Sequence, residues 1–256
     1  MSATLLRDGL RVHYDVAGSG ETSALFAHGL TGTGAADWRL MLPTLTPHYR
    51  CVVPDLRGHG RSEYRADGFS VDAMREDVRA LIEHEKMQRP HLVGFSMGAE
   101  LLLSLEMEHP GTARALVLIG PATGCPPDRG GYGVITDDPP HWPQLLRRLH
   151  DEHHGPDHWR TLFRHIAGSW GERPEASAEQ LATLRCPILV VQGEDEVPYK
   201  KRQVKVLVEA AADARLEVLS GAEHPVHVQR ADAVNALVRD FLLDVDSRVT
   251  QESGQR

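Results

Sequence analysis

The chain has 256 residues, of which 41% are hydrophobic and 25% charged, and its formal net charge is −8. This balance fits one globular domain with a sizeable core and excludes a disordered chain. The acidic total, without any cluster of lysine or arginine, argues against a nucleic-acid partner, because phosphate binding needs concentrated positive charge.

No apolar run approaches the roughly 18 residues that span a bilayer, and the opening MSATLLRDGLRVHYD lacks the basic-then-apolar layout of a secretory signal, so a cytoplasmic protein is expected. Cys51, Cys125 and Cys186 are odd in number and lack metal-ligand spacing, which suits buried thiols in a reducing compartment. In chain order, Leu10 to Val16 alternates apolar and polar residues as a strand does and ends at Gly18-Ser19-Gly20. Continuous apolar runs follow at Ala24 to Ala27, Cys51 to Val53, His91 to Val93, Ala115 to Ile119 and Ile188 to Val191, as expected of strands buried on both faces. Helical patterns separate them: Val71 to Lys86 carries Met74, Val78, Leu81 and Ile82 on one stripe, and Ala99 to Glu108 carries Leu102 and Leu105. Further helices are expected over Val204 to Ala212 and Ala231 to Leu243, with a strand at Arg215 to Leu219 between them. This alternation predicts an α/β fold with a mainly parallel sheet.

Between Gly124 and Leu184 the pattern changes to an insertion rich in Pro, His and Trp, with helical stretches around Trp142 to Glu152 and Asp157 to Ala167; it reads as a lid over residues 125–184. Core segments 1–124 and 185–246 would flank it, and the polar residues 247–256 would form a frayed tail.

The chemistry centres on Gly94-Phe95-Ser96-Met97-Gly98, placed after the strand at His91 and before the helix near Ala99. A strand-turn-helix bend this tight forces the serine into a strained backbone, and glycines two residues to either side keep neighbouring side chains clear. Serine needs a base to become a nucleophile. His224 is favoured, since Gly221-Ala222-Glu223-His224 follows a strand and precedes the last helix, while His227 is its competitor and His28 reads as a brace for its loop. A carboxylate must orient that imidazole, and Glu194, Asp195 and Glu196 all follow the strand ending at Val191. Two backbone N–H groups, of Met97 and of Leu30 in the loop His28 to Gly34, would form an oxyanion hole, each worth on the order of 3 kcal/mol.

These residues resemble the α/β-hydrolase superfamily: HGLTG at His28 to Gly32, DLRGHGRS at Asp55 to Ser62, GFSMG at Gly94 to Gly98 and GAEH at Gly221 to His224 lie in the family's order. The resemblance implies an eight-stranded, mostly parallel sheet, a triad in the order serine, acid, histidine, and a structural role for Arg57 and His59. Ala99 stands where many relatives have a further glycine. The acid loop is also shorter than the usual pattern: counting from Gly193 points to Glu196, whereas the match to the family's Asp-Glu-Val-x-Pro segment points to Asp195, which is preferred here. The expected triad is therefore Ser96, Asp195 and His224.

The function expected is cofactor-free hydrolysis of an ester, lactone or thioester of a small-molecule substrate through an acyl-enzyme. Carbon–carbon cleavage, elimination, perhydrolysis and a non-catalytic small-molecule binding protein are the alternatives, since one fold serves many functions. The loop after His28 lacks the Ser-Gly-x-Gly form of ring-cleavage hydrolases. Trp142, Trp159, Leu162, Phe163 and Trp170 suggest an apolar lid lining. No metal is expected: His154 and His158 have helical spacing, but Gly155-Pro156 between them breaks the helix such a ligand pair needs.

Overall fold

The computed structural model describes residues 1–125, 143–171 and 173–254. Eight strands, β1 (Ser2–Arg7), β2 (Leu10–Ala17), β3 (Ser23–Ala27), β4 (Arg50–Pro54), β5 (His91–Phe95), β6 (Ala115–Ile119), β7 (Ile188–Gly193) and β8 (Ala214–Leu219), form one sheet in the order β1-β2-β4-β3-β5-β6-β7-β8. The first two strands pair antiparallel and β3 to β8 run parallel. The described helices are α1 (Gly34–Trp38), α2 (Leu42–Leu45), α3 (Val71–His84), α4 (Met97–Glu108), α5 (Pro143–Leu146), α6 (Glu152–His154), α7 (His158–Gly171), α8 (Ala178–Leu181), α9 (Pro198–Ala210), α10 (Val226–Gln229) and α11 (Ala231–Gly254).

Alternate residues of the central strands enter two separate cores. Leu25, Leu92, Leu116, Leu118, Ile188 and Val190 face α3, α4, α7 and α9. Phe26, Val93, Val117, Ile119, Leu189 and Val191 face α1, α2, α10 and α11. Both faces of these strands are covered, which is why their sequences read as unbroken apolar runs. At the sheet's edge β8 leaves Val218 half exposed.

Two expectations change. An additional strand, β1, precedes the first one legible in the sequence; Leu6 on it is 69% exposed, so its apolar residues do not alternate cleanly. The helix α11 also continues to Gly254 instead of fraying after residue 246. In the insertion, α5, a π-helical turn at Arg147–Asp151, α6 and α7 stand where helices were expected, and Trp142 lies outside the described residues.

Histidines moor this insertion to the loops that follow β3 and β4. His150 Nε2–H donates to Thr31 O (3.3 Å) while its Nδ1 accepts from Gly60 N–H (3.3 Å). His154 donates to Gly60 O (3.0 Å) and His158 to Gly58 O (2.9 Å), while His59, within the loop after β4 itself, donates to Leu30 O (2.9 Å) of the loop after β3. His154 and His158 stack, with ring centroids 4.1 Å apart. The loop after β4 is held to the core by the buried pair Arg57 and Asp77, bonded twice at 2.7 and 2.8 Å. Burial pushes His59 and His154 down to about 4, and burial with the neighbouring His59 pushes His150 down to about 2.

A histidine that stays neutral when folded but protonates near its ordinary value when unfolded withdraws stability as pH falls through that ordinary value. Between about pH 6 and 4, His150 should therefore cost about 1.4 kcal/mol per pH unit. Urea unfolding at a series of pH values should show a slope shallower by about that amount in His150→Gln. Equal slopes would mean that residue 150 is protonated in the native state over this range.

Candidate active site

The parallel strands put their carboxyl ends on one edge of the sheet, and the chain direction away from β3 reverses between β4 and β5, the place where open α/β sheets form a crevice. Ser96 sits there, between β5 and α4, with φ 49° and ψ −115°. A non-glycine residue held at such angles costs about 1–3 kcal/mol, so its surroundings must enforce the bend. Ser96 N–H donates to Ile119 O (2.8 Å) on the neighbouring strand, and Ser96 O accepts from Glu100 N–H (3.1 Å) in α4. Gly98 makes the close packing possible: a Cβ there would stand 2.1 Å from Ala27 O.

Ser96 Oγ lies 2.8 Å from His224 Nε2. The other ring nitrogen, Nδ1, lies 2.5 Å from Glu196 Oε2, so Nδ1–H donates to the carboxylate and Nε2 is left to accept the serine proton. The expected acid, Asp195, is not the residue behind the imidazole. Glu196 N–H closes a turn onto Gly193 O (3.2 Å), which leaves Asp195 exposed at the bend and turns Glu196 inward, where it is 4% exposed. The turn is pressed against the loop bearing His224, since a Cβ on Gly193 would meet Ala222 O at 2.2 Å. The acid thus falls where the count from Gly193 places it. Burial alone would raise the Glu196 carboxyl, but the hydrogen bond from His224 and the Lys200 charge hold it below its usual range.

His227 is buried against Phe95 (centroids 4.1 Å) and Trp38 (5.6 Å), and neither of its ring nitrogens has a hydrogen-bond partner. It packs beneath the site and does not reach Ser96. His28 accepts from Leu56 N–H (2.9 Å) and donates to Gly29 O (2.7 Å), bracing the loop after β3.

Leu30, Ser96 and Met97 line a cavity of about 30 Å³ with Ile166 and Trp170 of α7, room for about one water. Met97 is the first residue of α4, so its N–H has no acceptor within the helix. Of the residues of the insertion expected to line the pocket, Trp170 touches this cavity; Trp159, Leu162 and Phe163 are buried in the same core but do not line it. Ile166, one helical turn before Trp170, was not singled out in the sequence. Nor was Lys200 in the first turn of α9, which is 4% exposed and has its Nζ 3.4–3.5 Å from both His224 ring nitrogens. Its one sequence signal is a cation in a helix's first turn, where the macrodipole disfavours it.

Among the described residues, no helix is long and apolar enough to cross a membrane. The profile of the α/β hydrolase fold matches residues 25–154. The mouse serine hydrolase BPHL is 26% identical over 252 residues, covering 94% of this chain and 86% of that protein. A 2-hydroxymuconate semialdehyde hydrolase of a Pseudomonas species is 24% identical, covering 95% and 94%. Among solved structures, a meta-cleavage product hydrolase from Pseudomonas fluorescens superposes with a TM-score of 0.82 at 20% identity, over 94% of this chain and 97% of that one. With this match over half its length and the same eight-stranded architecture, the chain belongs to the α/β hydrolase fold family.

Proposed function

We propose that this protein is a serine hydrolase that cleaves an ester, lactone or thioester of a small molecule through an acyl-enzyme on Ser96. The observation that carries this reading is the unbroken chain of contacts from Glu196 through His224 to Ser96, at 2.5 and 2.8 Å. In the first half-reaction Oγ attacks the carbonyl carbon as its proton passes to Nε2. The imidazolium then gives that proton to the leaving oxygen or sulfur, and the bond to the leaving group breaks. Water repeats the sequence with His224 as base, releasing the acid and restoring the serine. The N–H groups of Leu30 and Met97, on the same small cavity as Ser96, would stabilise the oxyanion at each tetrahedral stage. Glu196 holds the imidazole in the tautomer this requires and balances the charge it acquires.

A second reading, cleavage of a carbon–carbon bond next to a carbonyl, is favoured by the names of two similar proteins, the semialdehyde hydrolase and the meta-cleavage product hydrolase. Turnover of p-nitrophenyl acetate against turnover of a vinylogous 1,5-diketone acid separates the two. Faster cleavage of the diketone would move the assignment to the second reading.

A fluorophosphonate probe should label the wild-type protein and fail to label Ser96→Ala. Silence of the wild-type protein with both probe and substrates would favour a binding protein instead. For the carboxylate, kcat on p-nitrophenyl acetate should fall on the order of a thousandfold or more in Glu196→Gln, because the ring would lose its fixed tautomer. Asp195→Asn should stay within about threefold of wild type, as suits an exposed loop charge. The opposite ranking would restore Asp195 as the acid.

A further inference from the structure

Lys200 is a charge that the triad chemistry does not need. Its side chain is buried, and Nζ donates to Gly120 O at 3.1 Å. The distances from Nζ to His224 Nδ1 and Nε2 are 3.5 and 3.4 Å. A point equidistant from both nitrogens at that range cannot lie in the ring plane without colliding with ring carbon, so the ammonium rests over the face of the imidazole. Neither contact is a hydrogen bond to a ring lone pair, because Nδ1 is already engaged by Glu196 and Nε2 by Ser96. Gly120, at φ 54°, closes the arrangement: a Cβ there would stand 3.0 Å from His224 Nδ1.

A cation over an aromatic face is attracted to a neutral ring and repelled by a charged one. We propose that Lys200 is a positioning residue: a buried ammonium, held at Gly120 O and laid on the His224 ring, that acts on the substrate through that ring by opposing a second positive charge there. This rests on the serine-hydrolase reading above. Its consequence is a base that stays available at lower pH than Glu196 and burial alone would set, and an imidazolium that gives its proton readily to the leaving group.

The surrounding charges support this. Burial pulls the Lys200 ammonium below its ordinary value, while Glu100 of α4 and Glu196 both favour its charged form. His224 is lowered by burial and by Lys200, against the opposing pull of Glu196. The other titratable groups near His224 are Ser96 on the elbow and His227 on α10, itself lowered by burial and by His224. Further out, Glu194 accepts from Gly221 N–H and Glu223 pairs with Gln229, both exposed to solvent. Among the described residues, none but Lys200 brings a positive charge onto the ring face.

The test compares wild type with Lys200→Gln, which keeps a donor for Gly120 O, and Lys200→Met, which does not. In both variants the acid limb of kcat/KM for p-nitrophenyl acetate should move up by about one pH unit, an approximately tenfold loss below the limb. A limb that moves only in Lys200→Met, or a loss at every pH with the limb in place, would reduce the lysine to a structural bond and overturn the proposal. The imidazole ¹⁵N titration of His224, identified by its loss in His224→Asn, reads the same shift in a Ser96→Ala background. It therefore decides the matter even if the ester is not hydrolysed and the hydrolase reading fails. Should neither lysine variant fold, the ¹⁵Nζ shift of Lys200 in the wild-type protein still tests the claim: a charged amine between pH 6 and 8 supports it, and a neutral one overturns it.

Discussion

The structure depends most on the backbone bend at Ser96. A residue with a side chain is kept in the left-handed region because its N–H is tied to Ile119 on one side and its carbonyl is the first acceptor of α4 on the other. The strain, about 1–3 kcal/mol, is small beside the burial of the strands and helix that impose it. Everything chemical is referred to this point. The bend aims Oγ away from the sheet, starts a helix whose first N–H is unused, and fixes where an imidazole must arrive. The loops after β3, β7 and β8 reach it because parallel strands end on the same edge.

Around the bend, ionisable groups are buried in an order that balances their charges. In order of contact there is a glutamate, an imidazole and a hydroxyl, with an ammonium on the ring face and a second glutamate whose charge favours that ammonium. Desolvation acts against each charged form. Glu196 remains a carboxylate because two neighbours prefer it so, whereas His224 remains neutral because burial and Lys200 together outweigh Glu196. In the insertion the balance tips further, because neighbouring histidines add to burial and together outweigh the hydrogen bonds to Thr31 O and Gly60 O and the charge of Asp151.

Much of this was legible in the chain, for identifiable reasons. Strands covered on both faces betray themselves as short apolar runs, and the glycines at 94 and 98 mark a close approach that few other turns require. The pairing of Ser96 with His224 followed from order along the chain and position after a strand. The strand β1 was missed because its outward face carries Leu6, which erased the alternation. Asp195 was preferred over Glu196 because residue type was weighed above loop length; the deciding facts, a turn closing on Gly193 and its contact with Ala222, exist only in three dimensions. Lys200 is marked in the sequence only as a cation in a helix's first turn; what distinguishes it is the ring it covers, contributed by a loop two elements away.

The mooring of the insertion has a further consequence. His150, His154 and His158 bond to carbonyls and an N–H of the chain they touch, atoms that every amino acid possesses. The recipient side of the contact is thus blind to most side-chain changes, and what must be preserved is the backbone conformation at Thr31, Gly58 and Gly60, the last two with positive φ. An insertion fastened in this way can be exchanged during evolution as a unit, with little change demanded of the loops it rests on.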